Sequence, residues 1–125
     1  LGTKEGSSTG LSKEEVTFLH RKKGKIIPIY NHFTKATTYE LGVKEASAAI
    51  KSAETLEIPE GVAIFADIEP NYPVDENFIR GWVKTIRSSP YVPGIYGVFT
   101  DNSKLAVAYL AAAKKDSDVK DKAVI

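Results

Sequence analysis

The sequence predicts an α/β fold built from parallel β/α units, and three observations predict it. Val62-Ala63-Ile64-Phe65-Ala66-Asp67-Ile68-Glu69 is almost continuously apolar up to an acidic end, the pattern of a strand covered on both faces, as in parallel sheets. Segments with apolar residues at helical spacing alternate with such strand-like runs,. The runs recur at roughly thirty-residue intervals, the size of one β/α unit. Repeated units of this kind imply parallel strands joined by right-handed crossovers.

Each element has its own signal. Ser12-Lys13-Glu14-Glu15 has the spacing of a capping box,, so a helix is expected from Ser12 to Lys23, ended by Gly24. The basic run His20-Arg21-Lys22-Lys23-Gly24-Lys25 fits the solvated last turn of that helix, where cations suit the dipole,. Lys25-Ile26-Ile27-Pro28-Ile29-Tyr30-Asn31 reads as a short strand, weakened by Pro28, which cannot donate to a ladder,. A helix from Thr38 to Glu57 would align Val43, Ala46, Ala49, Ile50 and Ala53,. Pro59-Glu60-Gly61 marks a turn before the strand at 62–69,. Asp75 is a good N-cap for a third helix with Phe78, Ile79, Trp82, Val83 and Ile86 on its inner stripe,. Pro93-Gly94-Ile95-Tyr96-Gly97-Val98-Phe99 reads as the third strand. Thr100 to Ser103 offers caps for a helix from Lys104 to Lys114, with Asp101 expected as a cap rather than a catalytic acid. Val124 is expected to open a fourth strand.

Composition bounds the function. The 125 residues suffice for one domain with a core, and a formal net charge of +1 supplies no global field to capture nucleic acid or an anionic membrane,. There is no cysteine, which excludes disulfides, thiolate chemistry and a cysteine-built zinc site,. No run reaches the ~20 apolar residues of a membrane helix. No strand is followed by a phosphate-cradling glycine loop; the turns read His32-Phe33-Thr34-Lys35, Pro70-Asn71-Tyr72-Pro73 and Thr100-Asp101-Asn102-Ser103,. Methionine is absent and the chain enters a strand pattern at Ala123-Val124-Ile125. Residues 1–125 are therefore expected to be a single β/α domain excerpted from something larger. An open doubly wound sheet and an arc of a barrel both fit.

The candidate chemistry lies at Asp67 and Glu69. Two residues apart on a strand, they share a face with Phe65 and Ala63, while Val62, Ile64, Ala66 and Ile68 take the other,. The branched aliphatics suit packing against helices. That turns both acids inward, at the C-terminal strand end where barrel active sites are built. One protonated acid beside one carboxylate is what glycosidic cleavage requires. The competing readings are two solvated acids capping the next loop, and a divalent-metal site, for which further ligands are missing. Tyr30 and Asn31 at the first strand's end, Tyr72 after the acidic pair and Tyr96 in the third strand are candidates to bind sugar hydroxyls or stack on sugar rings; the competing reading is that Tyr30 and Tyr96 fill barrel layers, and a structural role for Tyr72 fits equally. His32 reads as a surface loop residue and Trp82 as core.

Lys25-Ile26-Ile27-Pro28-Ile29-Tyr30, Gly42 through Ala49, Ile64-Phe65-Ala66-Asp67-Ile68-Glu69 and Val92-Pro93-Gly94-Ile95-Tyr96-Gly97 together resemble a bacterial glycoside-hydrolase-like domain family. That family was long catalogued as a domain of unknown function and is related in fold to the family 25 lysozymes. The resemblance covers most of residues 10 to 100. It implies part of a (β/α)8 TIM barrel, about half of it present in this chain with the remaining barrel segments missing. It implies cell-wall glycan (peptidoglycan) as substrate, Glu69 as proton donor and Asp67 as its electrostatic partner, no cofactor and no metal. It favours a secreted or cell-wall location. The family 25 enzymes carry further acids on their first and last barrel strands, neither of which this chain contains. The alternative is a non-catalytic barrel that binds polysaccharide or another partner in the same cleft.

Overall fold

The structure, a computed structural model, describes residues 27–125. It is an α/β arrangement with three parallel strands and four helices among the described residues. In chain order these are β1 (Ile29–Tyr30), α1 (Tyr39–Thr55), β2 (Ala63–Ile68), α2 (Glu76–Arg87), β3 (Val92–Gly97), α3 (Lys104–Lys115) and α4 (Ser117–Lys122). The expected helix at Ser12–Lys23 and the basic run at His20–Lys25 lie outside the described residues.

Sheet order is β1-β2-β3 with every pair parallel, so consecutive strands are neighbours. Three strands do not close a barrel, which takes eight. Val124 forms an isolated parallel bridge with Gly94 on the far side of β3, where a fourth strand was expected. Its N–H donates to Pro93 O, and Ile95 N–H donates back to Val124 O.

The register separates two faces. Ile64, Ala66 and Ile68 of β2 are buried, as are Pro93 and Ile95 beside them on β3. They pack beneath Trp82, Phe78, Ile79, Val83 and Ile86 of α2, all fully buried. Burying each such aliphatic side chain contributes about 1.5–3 kcal/mol. Trp82 also uses its polar atom: Nε1–H donates to Gly94 O at 3.0 Å, tying α2 to β3. Ala63, Phe65 and Asp67 on the opposite face are only half-buried.

Helices α1 and α2 meet through glycine. A Cβ on Gly42 would stand 2.3 Å from Phe78 O, and one on Gly81 would stand 2.4 Å from Tyr39 O. The buried side of α1 is accordingly Gly42, Ala46, Ala49 and Ala53, all small. Val43 and Ile50, expected on that stripe, sit at its half-buried margin.

Helix ends follow local chemistry. Asp75 Oδ1 accepts from Phe78 N–H at 2.8 Å, as an N-cap should,. Its two carboxylate oxygens also accept from Thr38 N–H, at 3.2 and 3.1 Å. Asp75 thereby holds the starts of both α1 and α2. The two loops run side by side, with Ala36 bridged to Val74. Thr38, the N-cap of α1, has φ 72° and ψ 146°, a costly conformation for a β-branched residue,. At the other end of α1, Ile58 N–H bonds Ala53 O and Glu57 N–H bonds Glu54 O. This is a Schellman motif with Glu57 in the left-handed region at φ 57°,. Glycine adopts that region without a Cβ penalty. Glu57→Gly is therefore expected to stabilise the fold by about 0.5–1 kcal/mol, read as a raised thermal midpoint.

Three expectations are corrected. Lys25 and Ile26 of the strand expected at 25–31 lie outside the described residues; from residue 27 on it comprises Ile29–Tyr30, because Pro28 contributes only its carbonyl, which accepts from Phe65 N–H. The third strand stops at Gly97 rather than Phe99, whose ring instead meets Tyr109 edge-on at 5.7 Å. Ser103, not Asp101, caps α3, accepting from Ala106 N–H at 3.1 Å while donating to Val98 O at 2.8 Å. The short α4, which no hydrophobic stripe announced, is held by one buried side chain, Val119, and by Tyr109 Oη–H donating to Val119 O.

Candidate functional site

Asp67 is the last open-face residue of β2 and pairs in register with Tyr96 of β3. Paired residues of a parallel ladder point to the same side, so Asp67 and Tyr96 are abreast, and Tyr96 is 54% exposed. Two residues upstream on this face, Phe65 lies over Gly94, whose missing Cβ leaves room for the ring: a Cβ there would be 2.7 Å from Phe65 Cδ2. Phe65 thus floors the open face, and Asp67 and Tyr96 stand at its C-terminal rim. Asn31 directly follows β1, and its Oδ1 is buried with no hydrogen-bond partner among the described residues.

Glu69 follows the last residue of β2 and opens a turn, in which Tyr72 N–H donates to Glu69 O at 3.0 Å. Pro70 in second place suits such a turn. The turn brings the Tyr72 ring back, and its hydroxyl donates to Glu69 Oε2 at 2.5 Å. Tyr72 is itself buried, its ring edge-on to Phe33 at 6.3 Å. A rigid buried phenol therefore holds the Glu69 carboxylate.

Glu69 and Tyr72 line a cavity of about 330 Å³ between the β2–α2 loop and the β3–α3 loop. Its floor is apolar, from Ile68, Val74 and Leu105, and the β3–α3 side adds Thr100, Asn102 and Lys104. The cavity depends on Gly97, where a Cβ would stand 2.4 Å from Leu105 Cδ2 and 2.6 Å from Ile68 O. Asp67, Asn31 and Tyr96 are not among the lining residues. The polar residues of the β3–α3 loop escaped the sequence reading, because Thr100 to Lys104 carries a helix-start signal that accounts for them without a cleft.

Tyr30 does not join this mouth. It pairs in register with Ala66, on the helix side, and is buried at 3% exposure. Its ring sits 5.9 Å from Trp82, and its hydroxyl donates to Glu45 Oε1 of α1 at 2.9 Å. Burial, reinforced by Glu45, pushes the Tyr30 phenol well above its ordinary value. Burial likewise raises Tyr91, with Glu54 and Glu60 adding to it, and Tyr109. A phenol whose folded value is raised contributes stability that is complete below the unfolded value near ~10 and is lost as pH rises beyond it. Stability is expected to fall steeply above that pH. Tyr30→Phe should flatten the fall, as followed by denaturant titration across alkaline pH.

Among the described residues no group of three or more His, Asp or Glu is placed to hold a metal ion, and no helix is long and apolar enough to cross a membrane.

Among the described residues, a parallel β/α sheet carries an acid in a cavity at the C-terminal end of its central strand. The chain matches the Rv2525c-like, glycoside hydrolase-like domain over residues 2–119 and belongs to that family. A solved structure described as a 1.07 Å crystal structure of an uncharacterized B. stearothermophilus protein is similar to it, with TM-score 0.88 and 34% sequence identity. The match covers 94% of this chain and 55% of that one, so the chain spans about half the length of that protein. No curated protein matches.

Proposed function

We propose that the domain takes a polysaccharide, cell-wall glycan above all, at the C-terminal end of its strands, and that Glu69 protonates the glycosidic oxygen. The single observation carrying this reading is the Glu69 carboxylate, oriented by Tyr72 at the wall of a 330 Å³ cavity. In this reading the chain supplies about half of a (β/α)8 barrel. Support comes from consecutive strands being neighbours and from the match to 55% of a longer relative.

Glu69 in its acid form gives its proton to the leaving oxygen as the C1–O bond breaks. The Asp67 carboxylate faces the positive charge that develops at the anomeric carbon. Water then supplies hydroxide to that carbon, and its proton returns to a carboxylate. Among the described candidates, Tyr96 offers an exposed ring for stacking and Asn31 an acceptor for a hydroxyl. The test is reducing-end release from peptidoglycan by the full-length protein. A positioned acid supplies about 10²–10⁴-fold, so Glu69→Gln, which keeps an oxygen for the Tyr72 hydroxyl, should lose release by that factor. Equal release by the variant removes Glu69 from the role.

A second reading has its own observation: the cavity is lined by Glu69 but not by Asp67. One acid without its partner suits a domain that binds polysaccharide without cutting it. Saccharide binding with no new reducing ends in either protein would select this reading.

A further inference from the structure

We propose that the cavity between the β2–α2 and β3–α3 loops is a single-ring subsite selective for an acidic sugar, with Lys104 receiving the sugar's carboxylate. The inference rests on the reading that this mouth takes a glycan and adds the class of sugar. Size is the first support: 330 Å³ is at the small end of the ~300–1,000 Å³ range of ligand sites, room for one ring rather than a chain,. Lining is the second. Ile68, Val74 and Leu105 form an apolar floor for the C–H face of a pyranose, while Thr100 and Asn102 bring hydroxyl and amide groups for its oxygens,.

Charge is the third support. Glu69 and Lys104 are the two ionisable residues of opposite sign lining the cavity. Lys104 is exposed and makes no ion pair among the described residues, whereas Lys115 at the far end of α3 is paired with Glu76 at 3.0 Å. A neutral sugar leaves Lys104 unused. A sugar carrying a carboxylate pairs with Lys104 and places its negative charge away from Glu69, which fixes the ring's direction in the cavity and sets the glycosidic oxygen at the Glu69 end.

The test is binding to the full chain of methyl glucuronoside and methyl glucoside, which differ at C6 by a carboxylate in place of a hydroxymethyl group. The acidic sugar should bind at least about tenfold tighter, and added salt should shrink that preference. Lys104→Met should abolish the preference, lowering the acidic sugar's affinity at least about tenfold relative to the neutral one. Lys104→Arg should keep it. Equal affinity for the two sugars, binding of neither, or a preference that survives Lys104→Met overturns the proposal. Reducing-end release by the Lys104→Met protein judges the Glu69 reading separately: cleavage that persists without acidic preference leaves Glu69 in its role and sinks the subsite alone.

Discussion

Gly42→Ala and Gly81→Ala are each expected to destabilise the protein by about 2 kcal/mol or more, lowering the thermal midpoint by roughly 8 °C for a domain of this size. Two effects compete. Alanine is the better helix former by about 1 kcal/mol, which taken alone would make both substitutions stabilising. Against this, each new methyl would press on a backbone carbonyl, Phe78 O at 2.3 Å or Tyr39 O at 2.4 Å. A flexible side chain could swing aside, but a helix backbone moves only with its helix. Overpacking of this sort costs about 1–3 kcal/mol, and more where nothing can give. The clash wins. Ser47→Ala, at an exposed position of the same helix α1, is the control: it gains propensity, meets no opposing wall, and should be neutral or slightly stabilising. Urea midpoints of the three variants check the prediction. If Gly42→Ala and Gly81→Ala match Ser47→Ala, the close α1–α2 crossing is not the one described.

Asp75→Ala should cost about 1.5–3.5 kcal/mol, far more than an ordinary surface carboxylate. Loss of an N-cap alone costs about 1 kcal/mol and up to 2. The same side chain also accepts from Thr38 N–H, whose φ of 72° needs an external hold. Thr38 is exposed, so water can take the lost acceptor's place, and the loss of this bond adds about 0.5–1.5 kcal/mol,. Asp75→Asn should fall between the two proteins. Its amide oxygen can still take Phe78 N–H, but its NH₂ then faces the Thr38 donor. Hydrogen exchange localises the effect: the Ala36, Thr38 and Phe78 amides should lose protection together, because Ala36 N–H donates to Pro73 O and Asp75 N–H to Ala36 O within the same loop pair. Loss confined to Phe78 would reduce Asp75 to a simple cap.

The sequence made some of this legible and hid the rest, for physical reasons. Strand β2 was readable because it is buried on its helix face by Ile64, Ala66 and Ile68 and half-covered on the other. Its alternation therefore gave the right partition between helix-facing aliphatics and Asp67. Asp75 was readable as a cap because capping is local chemistry. Its second bond, to Thr38 across 37 positions of chain, has no local signature. The sequence leaves Tyr30 between the mouth and a packed layer because a two-residue strand offers no alternation from which to fix a face; only pairing with Ala66 does so. Gly42 and Gly81 sit inside helical patterns, and each is explained only by the helix opposite. Lys104 was hidden by its own helix. As the first residue of α3 it fits any surface helix, and only the fold of the β3–α3 loop puts it across a cavity from Glu69.

A crystal of the full-length protein soaked with an acidic oligosaccharide addresses the site directly. The account predicts a sugar ring seated between the β2–α2 and β3–α3 loops, with its glycosidic oxygen at Glu69 and its carboxylate at Lys104. A saccharide bound away from the β2–α2 and β3–α3 loops, or a filled mouth in which Glu69 touches no part of the sugar, would contradict it.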